Sequence, residues 1–84
     1  MPTPRDAART AAFRKWIAHI GGREAAARDT GIALRSIERM AGGKQPPPAK
    51  LLEDLAGQLA AKGGADALAD ELAIAARPQE KVNA

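Results

Sequence analysis

Three Gly-Gly pairs, at 21–22, 42–43 and 63–64, interrupt a chain that would otherwise favour long helices. Glycine inside a helix costs about 1 kcal/mol relative to alanine, so a doubled glycine is a strong stop signal. Between the stops, alanine fills 21 of the 84 positions. Strand formers are scarce: one Phe, one Trp, no Tyr and a single Val. The pairs recur every 21 residues, yet the segments between them share no residue pattern, so the period does not mark a repeat. The pattern predicts an all-α fold, a small five-helix bundle without strands.

The helix signals are local and consistent. Thr3, Pro4 and Asp6 read as a helix start, with Thr as cap, Pro in the first turn and an acid near the positive dipole end. Phe13, Trp16, Ile17 and Ile20 follow at i, i+3, i+4 and i+7, one apolar stripe. Trp16 therefore belongs to the core, and His19 lies beside the stripe, partly exposed. Arg23 to about Asp29 forms a second helix and Leu34 to Met40 a third, hinged on Gly31. Lys44 to Pro48 is a loop whose proline run makes a rigid spacer, with Pro48 suited to the first turn of a fourth helix. Leu52, Leu55, Ala56 and Leu59 line that helix; Ala65, Leu68, Ala69, Leu72 and Ala76 line a fifth over 65–77. Residues 1–77 are expected to form one domain, and 78–84 a frayed tail.

Length and composition exclude several classes. A chain of 84 residues buries only about 60–65% of its unfolded surface, so association would add useful burial. No cysteine means no disulfide or thiolate metal site, and the single His19 cannot ligate a metal alone. No cofactor is expected. No segment approaches 18 consecutive apolar residues and the N-terminus lacks a signal-peptide core, so the expectation is a cytoplasmic, nucleoid-associated protein without membrane contact. The adjacent acids Glu53/Asp54 and Asp70/Glu71 point about 100° apart and have no nucleophile beside them, so they form a solvated face. Gly42-Gly43-Lys44 fails as a phosphate loop, because Glu38 stands at its first glycine position and Gln45 at its Ser/Thr. An enzyme, or any small-molecule substrate, is not expected.

The net charge of +3 is unevenly divided. Residues 1–50 carry ten Lys/Arg against four Asp/Glu, and residues 51–84 carry three against six. Such a split suits a basic face that meets a polyanion.

Residues 23–43 (REAAARDTGIALRSIERMAGG) bring these threads together. Ala26 and Ala27 allow two helices to approach closely, Gly31 supplies a left-handed turn, and Ile32, Ile37 and Met40 pin the second helix to the first. Laid out from Arg23, the segment resembles the Cro/repressor-type (lambda-repressor-like) helix-turn-helix of small phage and bacterial regulators. The small residue falls on Ala27, the turn glycine on Gly31, and the core positions on Ile32, Ile37 and Met40. The likeness continues through GGKQPPPAKLLEDLA and covers roughly residues 13–60. Two positions depart from the pattern: Ala33 stands where Ser or Thr caps the recognition helix, and Thr30 where an apolar residue is common.

The resemblance implies a sequence-specific transcriptional regulator, expected to be a repressor of phage or mobile-element type, whose second helix enters the major groove of double-stranded DNA. It assigns base contacts to Arg35 and Arg39, four apart on one face, each able to grip guanine O6 and N7. Ser36 and Glu38 become candidates for a second base or phosphate contact, and Leu34 for a thymine methyl. Ala33 opens the helix, while Arg23 and Lys44 are placed for phosphates. One recognition helix reads only a few base pairs, so a homodimer on half-sites about 34–36 Å apart is expected. Helices 4 and 5 (residues 50–76) are the expected contact, because the stripe of the fifth has little left to cover in so small a fold. The rival reading is a helical protein-interaction module, antitoxin-like or an inhibitor, that does not bind DNA.

Overall fold

The computed structural model describes residues 4–77 and contains five helices and, among those residues, no strand. They are α1 (Pro4–Ile20), α2 (Arg23–Thr30), α3 (Leu34–Ala41), α4 (Ala49–Lys62) and α5 (Asp66–Ala76). The expected bundle is therefore present, with each Gly-Gly pair at a helix end. The Thr3 cap and the 78–84 tail lie outside the described residues. The ends of α2, α3 and α5 differ from expectation by one residue, and Pro48 is the N-cap of α4 rather than a residue of its first turn. Its backbone is extended (φ −65°, ψ 149°), and its carbonyl accepts the Leu52 N–H. An N-cap carbonyl already serves the helix while its own dihedrals remain outside it.

The long α1 is the centre of the packing. α2 and α3 pack on each other and on α1; α4 and α5 pack on each other and on α1. Neither α2 nor α3 makes a close backbone approach to α4 or α5. Two helical pairs thus share one strut, giving a flat body of 41 × 30 × 16 Å. Ala12, Phe13 and Trp16 of α1 are essentially solvent-free, with the Phe13 and Trp16 rings stacked at 5.7 Å between centroids. Around them close Ala26, Ile37, Leu52, Leu55 and Leu72, so every helix contributes to one apolar cluster. Pro47 is also fully buried, so the middle of the proline run is packed inside the protein while Pro48 stays exposed.

Hydrogen bonds from α1 tie both pairs down. Arg9 Nε donates to the Ala75 carbonyl at 3.0 Å and Nη2 to that of Ala76 at 3.4 Å, while Arg14 Nε donates to the Ala41 carbonyl. Each guanidinium thereby meets carbonyls that a helix C-terminus leaves without intrahelical partners, and opposes the negative dipole end. Lys15 adds an ion pair with Glu71 at 2.9 Å. Three of the bases in the basic half are therefore engaged with the body of the protein.

The apolar stripe of α5 is likewise used internally. Ala69, Leu72, Ala75 and Ala76 are buried, and Ala65 and Leu68 pack against the same cluster. The premise that this stripe had little left to cover is therefore corrected: α4 and α1 cover it. The large apolar side chain that α5 still shows to solvent is Ile74, 61% exposed.

Candidate nucleic-acid interface

The α2–α3 hairpin owes its angle to the turn between them. Gly31 has φ 75°, a left-handed conformation that costs glycine nothing, and its N–H closes on the Ala27 carbonyl at 2.9 Å. Thr30 completes the turn. Its hydroxyl donates to the Ala26 carbonyl at 2.8 Å and accepts the Ile32 N–H at 3.1 Å. The residue that looked like a departure from an apolar position is thus a polar latch on the hinge.

The two ends of α3 are treated differently. At the C-terminus, all four terminal carbonyls have partners: Glu38 receives the Gly42 N–H, Arg39 the Lys44 N–H, Met40 the Gly43 N–H, and Ala41 the Arg14 side chain. The Lys44→Arg39 and Gly43→Met40 bonds form a Schellman motif around Gly43, whose φ is 83°. At the N-terminus, Ala33 is the cap residue and supplies no side-chain hydrogen bond. The Leu34, Arg35 and Ser36 amides are left without a protein acceptor among the described residues.

Around the eight-residue α3, the buried and exposed positions separate cleanly. Ile37, Met40 and Ala41 are buried against α1 and α2, whereas Arg35, Glu38 and Arg39 are exposed. At about 100° per residue, that triplet sits opposite the buried face. Leu34, 38% exposed, flanks it on one side, and the half-buried Ser36 on the other. Among the described residues, the Arg35 and Arg39 side chains make no hydrogen bond or ion pair, and Glu38 lies on their face without closing a salt bridge to either. Arg23 opens α2 and Lys44 follows α3, both exposed and likewise unpaired through their side chains. Ala33 is exposed at the head of α3.

Thus Ala33, Leu34, Arg35, Ser36, Glu38 and Arg39 are gathered on one short helix, with Arg23 and Lys44 in the segments on either side of the hairpin. Spacing alone sufficed for that grouping. The supports were not visible in it: Thr30, which carried only the signal of a hydroxyl at a helix end, and Arg14, whose partner is 27 residues away. No group of His, Cys, Asp and Glu among the described residues is arranged to hold a metal ion, and no helix there is long and apolar enough to cross a membrane. In comparisons with known proteins, no family model, no curated protein and no solved structure matches the chain.

Proposed function

We propose that this protein is a sequence-specific DNA-binding transcriptional regulator, a homodimer that inserts α3 into the major groove. The supporting observation is the exposed Arg35–Glu38–Arg39 face, set opposite the buried Ile37 and Met40 and free of ion pairs among the described residues. Eight residues make a rod of about 12 Å, comparable with a major groove about 12 Å wide. Arginines one turn apart on that rod can each present a two-pronged donor to a guanine edge. Glu38 between them suits a cytosine amino group, which accepts no cation, and Leu34 suits a thymine methyl. The open amides at the head of α3 suit a phosphate oxygen, as do Arg23 and Lys44. The charge division points the same way: Arg23, Arg35, Arg39 and Lys44, all in residues 1–50, have no internal side-chain partner among the described residues. A repressor of phage or mobile-element type, in the nucleoid, is the role that the helix-turn-helix resemblance supports. Dimerisation through α4 and α5 would bring together the faces that carry Ile74.

The experiment is selection of bound duplexes from a random pool, followed by a salt titration of the selected site. A two-fold symmetric site is expected. Arg35→Ala and Arg39→Ala each relax preference at one position by about 1–3 kcal/mol, and Lys44→Ala weakens all sequences alike, lowering the salt slope by about one. Failure to enrich any sequence, with no mobility shift even at low salt, would refute the proposal and favour a module that binds protein.

A further inference from the structure

An open groove of about 490 Å³, with no α3 residue in its lining, lies where α1, α2 and α4 end. Its walls are His19 and Ile20 from the last turn of α1, Ala25, Arg28 and Asp29 from α2, and Lys62 from the last residue of α4. Since α2 and α4 do not approach each other, the groove is the gap between the two helical pairs, closed by the end of the shared strut. Its volume falls within the range of small-molecule sites, about 300–1,000 Å³.

The lining is chemically selective. Arg28 and Lys62 enter from different helices, and neither has a hydrogen bond or ion pair among the described residues. Their places at helix C-termini account for a positive charge on each helix, through the dipole. The dipole does not account for their convergence on one groove with His19. A guanidinium fork and an ammonium from separate walls suit an anion with several acceptor oxygens. Asp29, the one acid in the lining, supplies acceptors for hydroxyl groups, and Ile20 and Ala25 supply apolar contact for a ring.

The geometry separates this groove from duplex DNA. Ala25, Arg28 and Asp29 occupy one face of α2 at i, i+3 and i+4, whereas Arg23 lies about 140° from Arg28 around the same helix. If Arg23 meets the DNA backbone, the groove faces elsewhere. We propose that it is a binding site for a small phosphorylated molecule bearing hydroxyl groups, a sugar phosphate or a nucleoside monophosphate. Its phosphate lies between Arg28 and Lys62, its hydroxyls on Asp29, and its ring against Ile20 and Ala25. A ligand held in this way bridges α2 to α4. The site does not depend on the DNA-binding reading.

The test is amide chemical-shift mapping of the full chain with ribose 5-phosphate, adenosine monophosphate, inorganic phosphate, adenosine and a short random-sequence duplex as separate probes. The two phosphate esters are expected to give saturable shifts at Ile20, Ala25, Arg28, Asp29 and Lys62 below about 10 mM, and adenosine none. The double variant Arg28→Ala/Lys62→Ala, both at exposed positions, should weaken the esters at least about tenfold while keeping the helical circular-dichroism signal, with the melt lowered only by what the two lost helix-dipole contacts cost. Absence of saturable shifts, equal shifts from adenosine, or ester binding undiminished in the double variant would overturn the proposal. Shifts at these residues from the duplex alone would overturn it too, by making the groove a backbone contact. The wild-type maps decide the matter even if the variant folds poorly.

Discussion

Replacing Thr30 with valine sets two accounts of the hinge against each other. If the position wants an apolar residue, as the resemblance drawn from the sequence implies, Thr30→Val should be neutral or stabilising. The structure gives the opposite sign. The hydroxyl carries two part-buried hydrogen bonds, donating to Ala26 at 2.8 Å and accepting from the Ile32 N–H at 3.1 Å. Valine keeps the shape and the β-branch, so helix propensity and packing volume hardly change, and the hydroxyl alone is tested. A neutral hydrogen bond contributes about 0.5–1.5 kcal/mol net, and stranding a buried N–H costs about 1–3 kcal/mol. Ile32 is only half-buried, so water recovers part of that cost and a loss of about 1–2 kcal/mol is expected. In a domain of this size that lowers Tm by about 5–15 °C, measured by circular dichroism at the helical band. Thr30→Ser, which keeps the hydroxyl, should retain most of the stability. A valine variant that melts at or above the parent temperature would refute the latch, and with it the account of how the hairpin angle is held.

Two further substitutions test the supports of the fold. Gly57 lies inside α4 without positive φ, and a Cβ there would meet nothing within 4 Å; Gly57→Ala should therefore raise stability by about 0.5–1 kcal/mol, seen as a higher urea midpoint at constant slope. Arg14→Met keeps the apolar stem but releases the Ala41 carbonyl, and should cost about 1 kcal/mol. In that variant, hydrogen exchange should quicken at the Ala41–Lys44 amides before it quickens in α5; uniform acceleration would instead show that Arg14 acts through the whole core.

Helix number, helix ends and the membership of the core were legible because they depend on neighbours in sequence. The Phe13–Ile20 stripe, the Gly31 hinge and the Ile37/Met40 anchors need only the helical period and the permissive backbone of glycine. The grouping of Arg35, Glu38 and Arg39 on one exposed face follows from the same period. The fates of the other cations did not follow from it. Arg9, Arg14 and Lys15 looked equivalent to Arg35 and Arg39 in a charge count, yet they bind carbonyls or a carboxylate on helices 27 to 67 residues away. Only the crossing of α1 over α3 and α5 reveals that. The surplus ascribed to the fifth helix failed for a related reason. Alanines at 69, 75 and 76 let α5 lie close to α4 and α1, and a stripe that thin is consumed by two neighbours.

The single strut has an evolutionary corollary. Because the α2–α3 hairpin makes its close backbone approaches to α1 alone, the residues on its outward face can be rewritten without disturbing the far pair of helices. The outward faces of the two pairs can then drift on separate schedules, each checked against the same Phe13–Trp16 spine.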